Sequence, residues 1–214
     1  MQAPANPFSI GNCLDYAWTN FKQNMSDYVL AQFVLVVPYF ALTAAISFLG
    51  RRLGVLTILL PPILWTCSMS IALAGARNGK PKLEDAFRPL TERQGDYLMV
   101  CLAMAAGAIA CFVGIVVTWW LFLFASLFAL QGRDFQRAIS ESKDLVLKYP
   151  GDVAILAIVV WALNLAGGLA CGIGIIFSMP IASLTVLRGY EQLTARLALE
   201  SPAQPPAEPP PAQY

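Results

Sequence analysis

The chain has 214 residues, 57% of them hydrophobic and only 13% charged, with a formal net charge of +1 and no histidine. An ordinary soluble domain carries roughly 25% charged residues, so this composition points away from a soluble enzyme and towards the membrane class. The missing histidine removes the commonest general base and the usual neutral metal ligand, and with them catalysis by Ser–His–Asp or Cys–His sites.

The N-terminal stretch MQAPANPF carries no basic segment and the first apolar run opens only at Tyr28, which predicts that no cleaved signal peptide is present. Before that run, Ile10, Cys13, Leu14, Ala17, Trp18 and Phe21 recur every three or four residues. Such a stripe on a polar segment predicts an amphipathic helix lying in the membrane interface, with Ser9 as its N-cap. Apolar runs at 28–49 and 55–76 follow, joined by GRRLG. Each matches the length of about 20 residues needed to cross a hydrocarbon layer roughly 30 Å thick. Pro61 and Pro62 in the second, and Pro180 further on, predict kinks.

A second stripe, Leu83, Ala86, Phe87 and Leu90, has Pro81 placed for a first helical position and Glu84 and Asp85 for the first turn. The run 97–130 comes next. A third stripe, Phe135, Ala138, Ile139, Ser142 and Val146, has Asp134 as its expected N-cap and leads into the run 153–187. The Pro-rich residues 200–214 predict an extended, disordered tail, leaving 1–199 as a single membrane domain.

The two long runs exceed one crossing, and basic residues decide how they fold. If each is a hairpin, the loops 77–95 and 132–150, Lys22, Arg188 and Arg196 share one side, twelve basic residues against Arg51 and Arg52 on the other. That asymmetry predicts six transmembrane helices with both termini cytoplasmic. Gly114 in the third run, and Gly167, Gly168, Gly172 and Gly174 in the fourth, fall where hairpin tips are required.

Asp27, Asp96 and Asp152 each stand directly before an apolar run, behind the breaks QNMS, ERQG and KYPG. Aligned on these acids, the first two stripes correspond residue by residue and the third more loosely, with Lys143 in the place of an aromatic, so the sequence predicts a threefold internal repeat over about 8–79, 80–132 and 133–193. Each unit is an interfacial helix, an acid and a membrane hairpin, ending at Gly79, Gly132 or Gly189. The acids are expected to cap transmembrane helices, where a carboxylate suits the unpaired N–H groups and the positive end of the helix dipole. A proton carrier would sit deeper.

AISESKDLVLKYPGD (138–152) followed by GGLACGIGIIFSMPIASLTVLRGYEQL (167–193) resembles the last third of a broad bacterial group of six-span integral membrane proteins of unknown function. That group is related to the membrane domain of glycerophosphodiester phosphodiesterases. Ala138, Ser142 and Lys148, the tip glycines Gly172 and Gly174, then Pro180 and Tyr190 carry the resemblance. It implies fold, topology and an inner-membrane location, and no catalytic residue, because the phosphodiesterase chemistry of those relatives resides in a separate soluble domain.

Other chemistry finds little footing. SESK (140–143) matches the Ser-x-x-Lys pattern of penicillin-binding enzymes but lacks their Lys-Thr-Gly and Ser-Asp-Asn partners. Cys13, Cys67, Cys101, Cys111 and Cys171 are too dispersed for a metal cage and read as small packing residues. No cofactor fingerprint occurs. Thirteen acids accompany the twelve basic residues, so lipid headgroups rather than nucleic acid are the expected neighbours, with Lys80 and Lys82 as candidate contacts.

Within the runs Asn164 stands out, about 18 Å beyond Asp152 at 1.5 Å per residue, on one helical face with Trp161, Gly168 and Gly172. Two readings follow: an interhelical hydrogen bond beside a small-residue contact, or a substrate or water contact near the midplane. The small-residue spacings, Gly168 to Gly172 and Ala106 to Ala110 to Gly114, suit packing within one protomer or in a homo-oligomer alike. The sequence therefore favours a non-catalytic membrane protein with an accessory, assembly or lipid-side role. The alternative is a transporter or channel for a small or amphiphilic solute.

Overall fold

The computed structural model describes residues 8–49, 60–92, 94–110, 118–169 and 174–200. The GRRLG link, Gly114, Gly172, Cys111, Cys171 and the Pro-rich tail lie outside them. Every regular element among the described residues is helical: α1 Ile10–Gln23, α2 Met25–Leu49, α3 Leu60–Asn78, α4 Leu83–Glu92, α5 Gln94–Ala110, α6 Ala125–Leu130 behind a helical turn at 118–121, α7 Phe135–Lys148, α8 Pro150–Leu169 and α9 Gly174–Glu200.

Local chemistry explains the starts. The Ser9 hydroxyl accepts the Asn12 N–H at 3.4 Å, opening α1 as expected. At α4 the Asp85 carboxylate accepts the Lys82 N–H at 2.9 Å. Lys82 is therefore the N-cap and Asp85 the third helical residue, so Pro81 precedes the helix instead of opening it. Asp134 has the extended backbone of an N-cap before α7, but its side chain makes no capping bond. Pro61 and Pro62 stand in the first turn of α3, where an N–H has no intrahelical acceptor to lose, and so do not kink it.

The breaks are tighter than the four residues expected. Only Asn24 separates α1 from α2, and only Tyr149 separates α7 from α8. Asp27, Asp96 and Asp152 each occupy the third position of the long helix that follows, α2, α5 and α8. Gly79 and Gly132, with φ of 75° and 90°, take the left-handed conformation after α3 and α6. Gly189 departs from that expectation. It lies inside α9, which runs on to Glu200, and its missing side chain leaves room for Leu156 of α8.

The molecule is layered by helix order. α3 is buried continuously from Leu64 to Gly75, the segment 123–129 is buried throughout, and α9 is buried from Ser178 to Leu187 except for the half-buried Ile181. Around them α2, α5 and α8 turn large apolar side chains outward: Leu30, Phe33 and Phe40; Leu98 and Met99; Ile158, Trp161 and Leu165. Two helices, Met25–Phe48 and Pro150–Leu169, are long and apolar enough to cross a membrane, while 95–105 and 118–130 are apolar but shorter. Only 28% and 22% of the most apolar windows of the two long helices are buried, so packing inside this chain does not account for their hydrophobicity.

Candidate functional site

A pocket of about 760 Å³ lies where five segments meet. Val36, Tyr39 and Phe40 enter from α2 at the three- and four-residue spacing that shares a helix face, and Pro61, Leu64 and Trp65 from the first turns of α3. Trp119, Trp120 and Leu123 come from the segment before α6, and Ile175 and Met179 from α9. From α8 come Ala154, Ala157, Ile158, Trp161 and Asn164. Phe40, Ile158 and Trp161 are also exposed, so the pocket opens onto the outer apolar surface.

Among the described residues its wall is almost wholly hydrocarbon and aromatic, with no Lys, Arg, Asp or Glu. Trp65 packs against Trp119 with ring centroids 5.5 Å apart. The indole N–H groups of Trp65 and Trp120 are buried and find no acceptor among the described residues, an uncommon condition for a buried donor. Asn164 spends its amide N–H on the Val160 carbonyl at 3.0 Å, one turn back in α8. Among the described residues its bond is therefore local, and the interhelical bond that was one of the two readings of the sequence is not formed.

Gly172, paired with Gly168 in the sequence reading, lies outside the described residues. Among them no atom lies within 4 Å of a Cβ built at Gly168, whereas one at Gly167 meets Ser178 of α9 and the carbonyl oxygen of Gly174. Pro180 is buried in α9 next to the pocket residue Met179.

The centre of the molecule holds a polar chain that sequence reasoning missed. Ser68 of α3 donates to the Gln32 side-chain oxygen of α2 at 3.2 Å, and its oxygen lies 2.9 Å from the Ser183 hydroxyl of α9. Since Ser68 has one proton, Ser183 must be the donor between the two hydroxyls. The Gln32 amide then donates to the Met179 sulfur at 3.0 Å, returning the chain to α9. All three polar residues are at most 1% exposed. Gln32, inside the first apolar run, was the available signal; Asn164, taken as the most polar group of the spans, is less buried.

The three acids divide in their bonding. Asp96 accepts the Phe135 N–H at the start of α7 at 3.4 Å, and Asp152 pairs with Arg196 of α9 at 3.2 Å. Asp27 has no side-chain partner among the described residues and acts only through its place in the first turn of α2. Asp27→Leu is accordingly expected to lower stability in detergent by about 0.3–1 kcal/mol, with a smaller loss for Asn. Loss of activity at unchanged stability in Asp27→Asn would instead mark a proton carrier.

Near Asp152, the Tyr149 hydroxyl donates to the Glu200 carboxylate at 2.8 Å, and Lys148 and Arg196 also reach that carboxylate. The Tyr149 hydrogen bond, aided by the two cations, holds Glu200 below the usual carboxylate range. A lowered folded value stabilises above the unfolded pKa and is lost as pH falls through the folded one. The end of α9 should therefore loosen on acidification below about pH 4.5, seen as faster amide exchange there, and Glu200→Gln should flatten that dependence. Burial pushes the Cys13 thiol up to about 11, in keeping with a packing role.

What the pocket can do chemically is bind an apolar body, its described wall offering few polar groups besides Tyr39 and Asn164. No protein-family model, curated protein or solved structure matches the chain.

Proposed function

We propose that the chain is a multi-pass bacterial inner-membrane protein with an accessory, assembly or lipid-side role, built from three copies of one unit with six spans and cytoplasmic termini. It would belong with the six-span group that its last third resembles. Support for the repeat comes from order and burial. In each unit a short amphipathic helix leads to a long helix with its acid third and its apolar face outward (α2, α5, α8), and then to an inward helical segment (α3, 118–130, α9).

The observation that carries the role is where polar and apolar surface lie. Gln32, Ser68 and Ser183 are buried at the centre and bonded to one another, while the pocket at the side is apolar and opens onto the outer face. A transporter for a polar solute requires the reverse, a hydrated polar path near the midplane. An apolar side pocket suits a protein that deals with lipid or with another membrane protein.

Topology labelling tests the six-span arrangement. In a Cys-free variant, a single cysteine at Arg52 should react with an impermeant thiol reagent from outside the cell, while cysteines at Lys82 and Arg137 should react only after permeabilisation. Outside labelling at either of the latter two would overturn it.

A further inference from the structure

Resting on that membrane reading, we infer that one flank of each short amphipathic helix docks on the phospholipid headgroup layer: Trp18 and Lys22 on α1, Leu83 and Phe87 on α4, Lys143 and Leu147 on α7. The apolar groups enter the acyl boundary and the two lysines meet lipid phosphates. The centre of each sequence stripe is not free for that contact. Ala17, Ala86 and Ser142, each ten residues before its acid, are all 0% exposed. Their helices pack on the inward segment of a neighbouring unit, α1 on α9, α4 on α3 and α7 on α6.

At about 100° per residue, the positions three before, one after and five after that buried residue fall on the same flank, within about 80° of one another. Trp18, Leu83, Phe87 and Leu147 occupy them at 40% exposure or more, and Lys22 and Lys143 are exposed beside them. Lys22 lies over the Trp18 ring at 4.8 Å, and neither lysine forms an ion pair among the described residues. On the opposite flank, the residues one before the buried position are met inside the chain: Tyr16 lies beneath Arg188, Asp85 accepts the Lys82 N–H and Glu141 pairs with Arg133. In α1 and α7, then, a cation left for an outside anion stands one turn from a large apolar group. That pattern fits a headgroup layer, where aromatic rings sit at the interface and lysine stems run along apolar surface to reach phosphate. The flank also continues into the outward apolar surface. Only Asn24 and Tyr149 separate α1 from α2 and α7 from α8, whose exposed residues Met25, Leu30 and Ile155 follow.

The full chain, made Cys-free and given Trp18→Cys, Phe87→Cys or Leu147→Cys carrying an environment-sensitive fluorophore, would be reconstituted into phosphatidylcholine vesicles. The vesicles would hold a nitroxide on the headgroup, high on the acyl chain or at its middle. All three sites should be quenched most by the headgroup and high-chain nitroxides, about threefold more than Asn12→Cys and Asp144→Cys, which lie across the same helices roughly 10 Å away. Val37→Cys, exposed midway along α2, should be quenched most by the mid-chain nitroxide. If Trp18→Cys fails to fold, Gly11→Cys on the same flank replaces it. With the high-chain nitroxide moved to phosphatidylglycerol, quenching at Trp18→Cys should rise about twofold, a rise that Lys22→Gln erases and Lys22→Arg keeps. Equal quenching on the two sides of each helix, strongest quenching of the flank by the mid-chain nitroxide, or no rise that depends on Lys22 would overturn the inference and leave the membrane reading standing. Blue-shifted emission at the three sites without quenching by any lipid would assign the flank to a second copy of the chain and also overturn it. No quenching at Val37→Cys or at the flank by any nitroxide would overturn both.

Discussion

Gly167→Leu is expected to destabilise the protein by about 3 kcal/mol or more, while the same change at its neighbour Gly168 should leave stability within about 1 kcal/mol. The two glycines are adjacent in α8, but a Cβ at Gly167 would run into the Ser178 hydroxyl and lie 2.8 Å from the Ser178 Cβ and 3.0 Å from the Gly174 carbonyl oxygen. The last of these is main chain at the start of α9, so relief requires α8 and α9 to part. At Gly168 nothing among the described residues lies within 4 Å, and a side chain there gains helix propensity without meeting them. Unfolding in detergent, followed by size exclusion, compares the two. Equal losses, or the larger loss at Gly168, would show that the helices do not meet at Gly167.

The second large effect is expected at the centre. Ser183→Leu places a bulky side chain where α2, α3 and α9 converge around a residue with 0% exposure, and should cost about 3 kcal/mol through overpacking. Ser183→Ala removes only its donation to Ser68, which keeps Gln32 as a partner. A hydrogen bond between membrane helices is worth about 0.6 kcal/mol on average and at most about 1.7, so the alanine variant should lose no more than that. If instead Ser183→Ala left folding intact and changed solute flux in proteoliposomes, the central chain would be a transport path and the lipid-side reading would fall.

Much of the local structure was legible because it depends on neighbours in sequence. The stripes marked α1, α4 and α7, since an interfacial or surface helix shows its buried face every three or four residues. Ser9 and the acidic first turn of α4 marked helix starts, because capping is a contact between residues three apart. The places of Asp27, Asp96 and Asp152 at the openings of long helices followed from the change of composition beside them.

Misreadings arose wherever an answer depended on a distant segment. A bond across helices was one of the two readings of Asn164, but only the fold reveals that it lines an apolar pocket and that its amide bonds Val160 of its own helix. Gly189 looked like the end of a unit until α9 proved to continue past it beside Leu156. Gln32 drew no reading in its apolar run, although Ser68, 36 residues on, bonds to it, and Ser183, 115 residues beyond Ser68, bonds to Ser68.

The sequence by itself determined that this is an all-helical, lipid-compatible chain, where its amphipathic and apolar helices alternate, and that its acids stand at their junctions, because composition, periodicity and capping are local properties. Only the tertiary structure decided which helices are central, which of two adjacent glycines carries the close contact, and that four tryptophans from three segments enclose one apolar pocket. The physical reason is that a helical sequence encodes which faces are apolar, but in the long helices α2, α5 and α8 nearly every face is apolar. Which face meets protein and which meets lipid is then settled by shape, hydroxyl pairing and small-residue contacts between segments far apart in the chain.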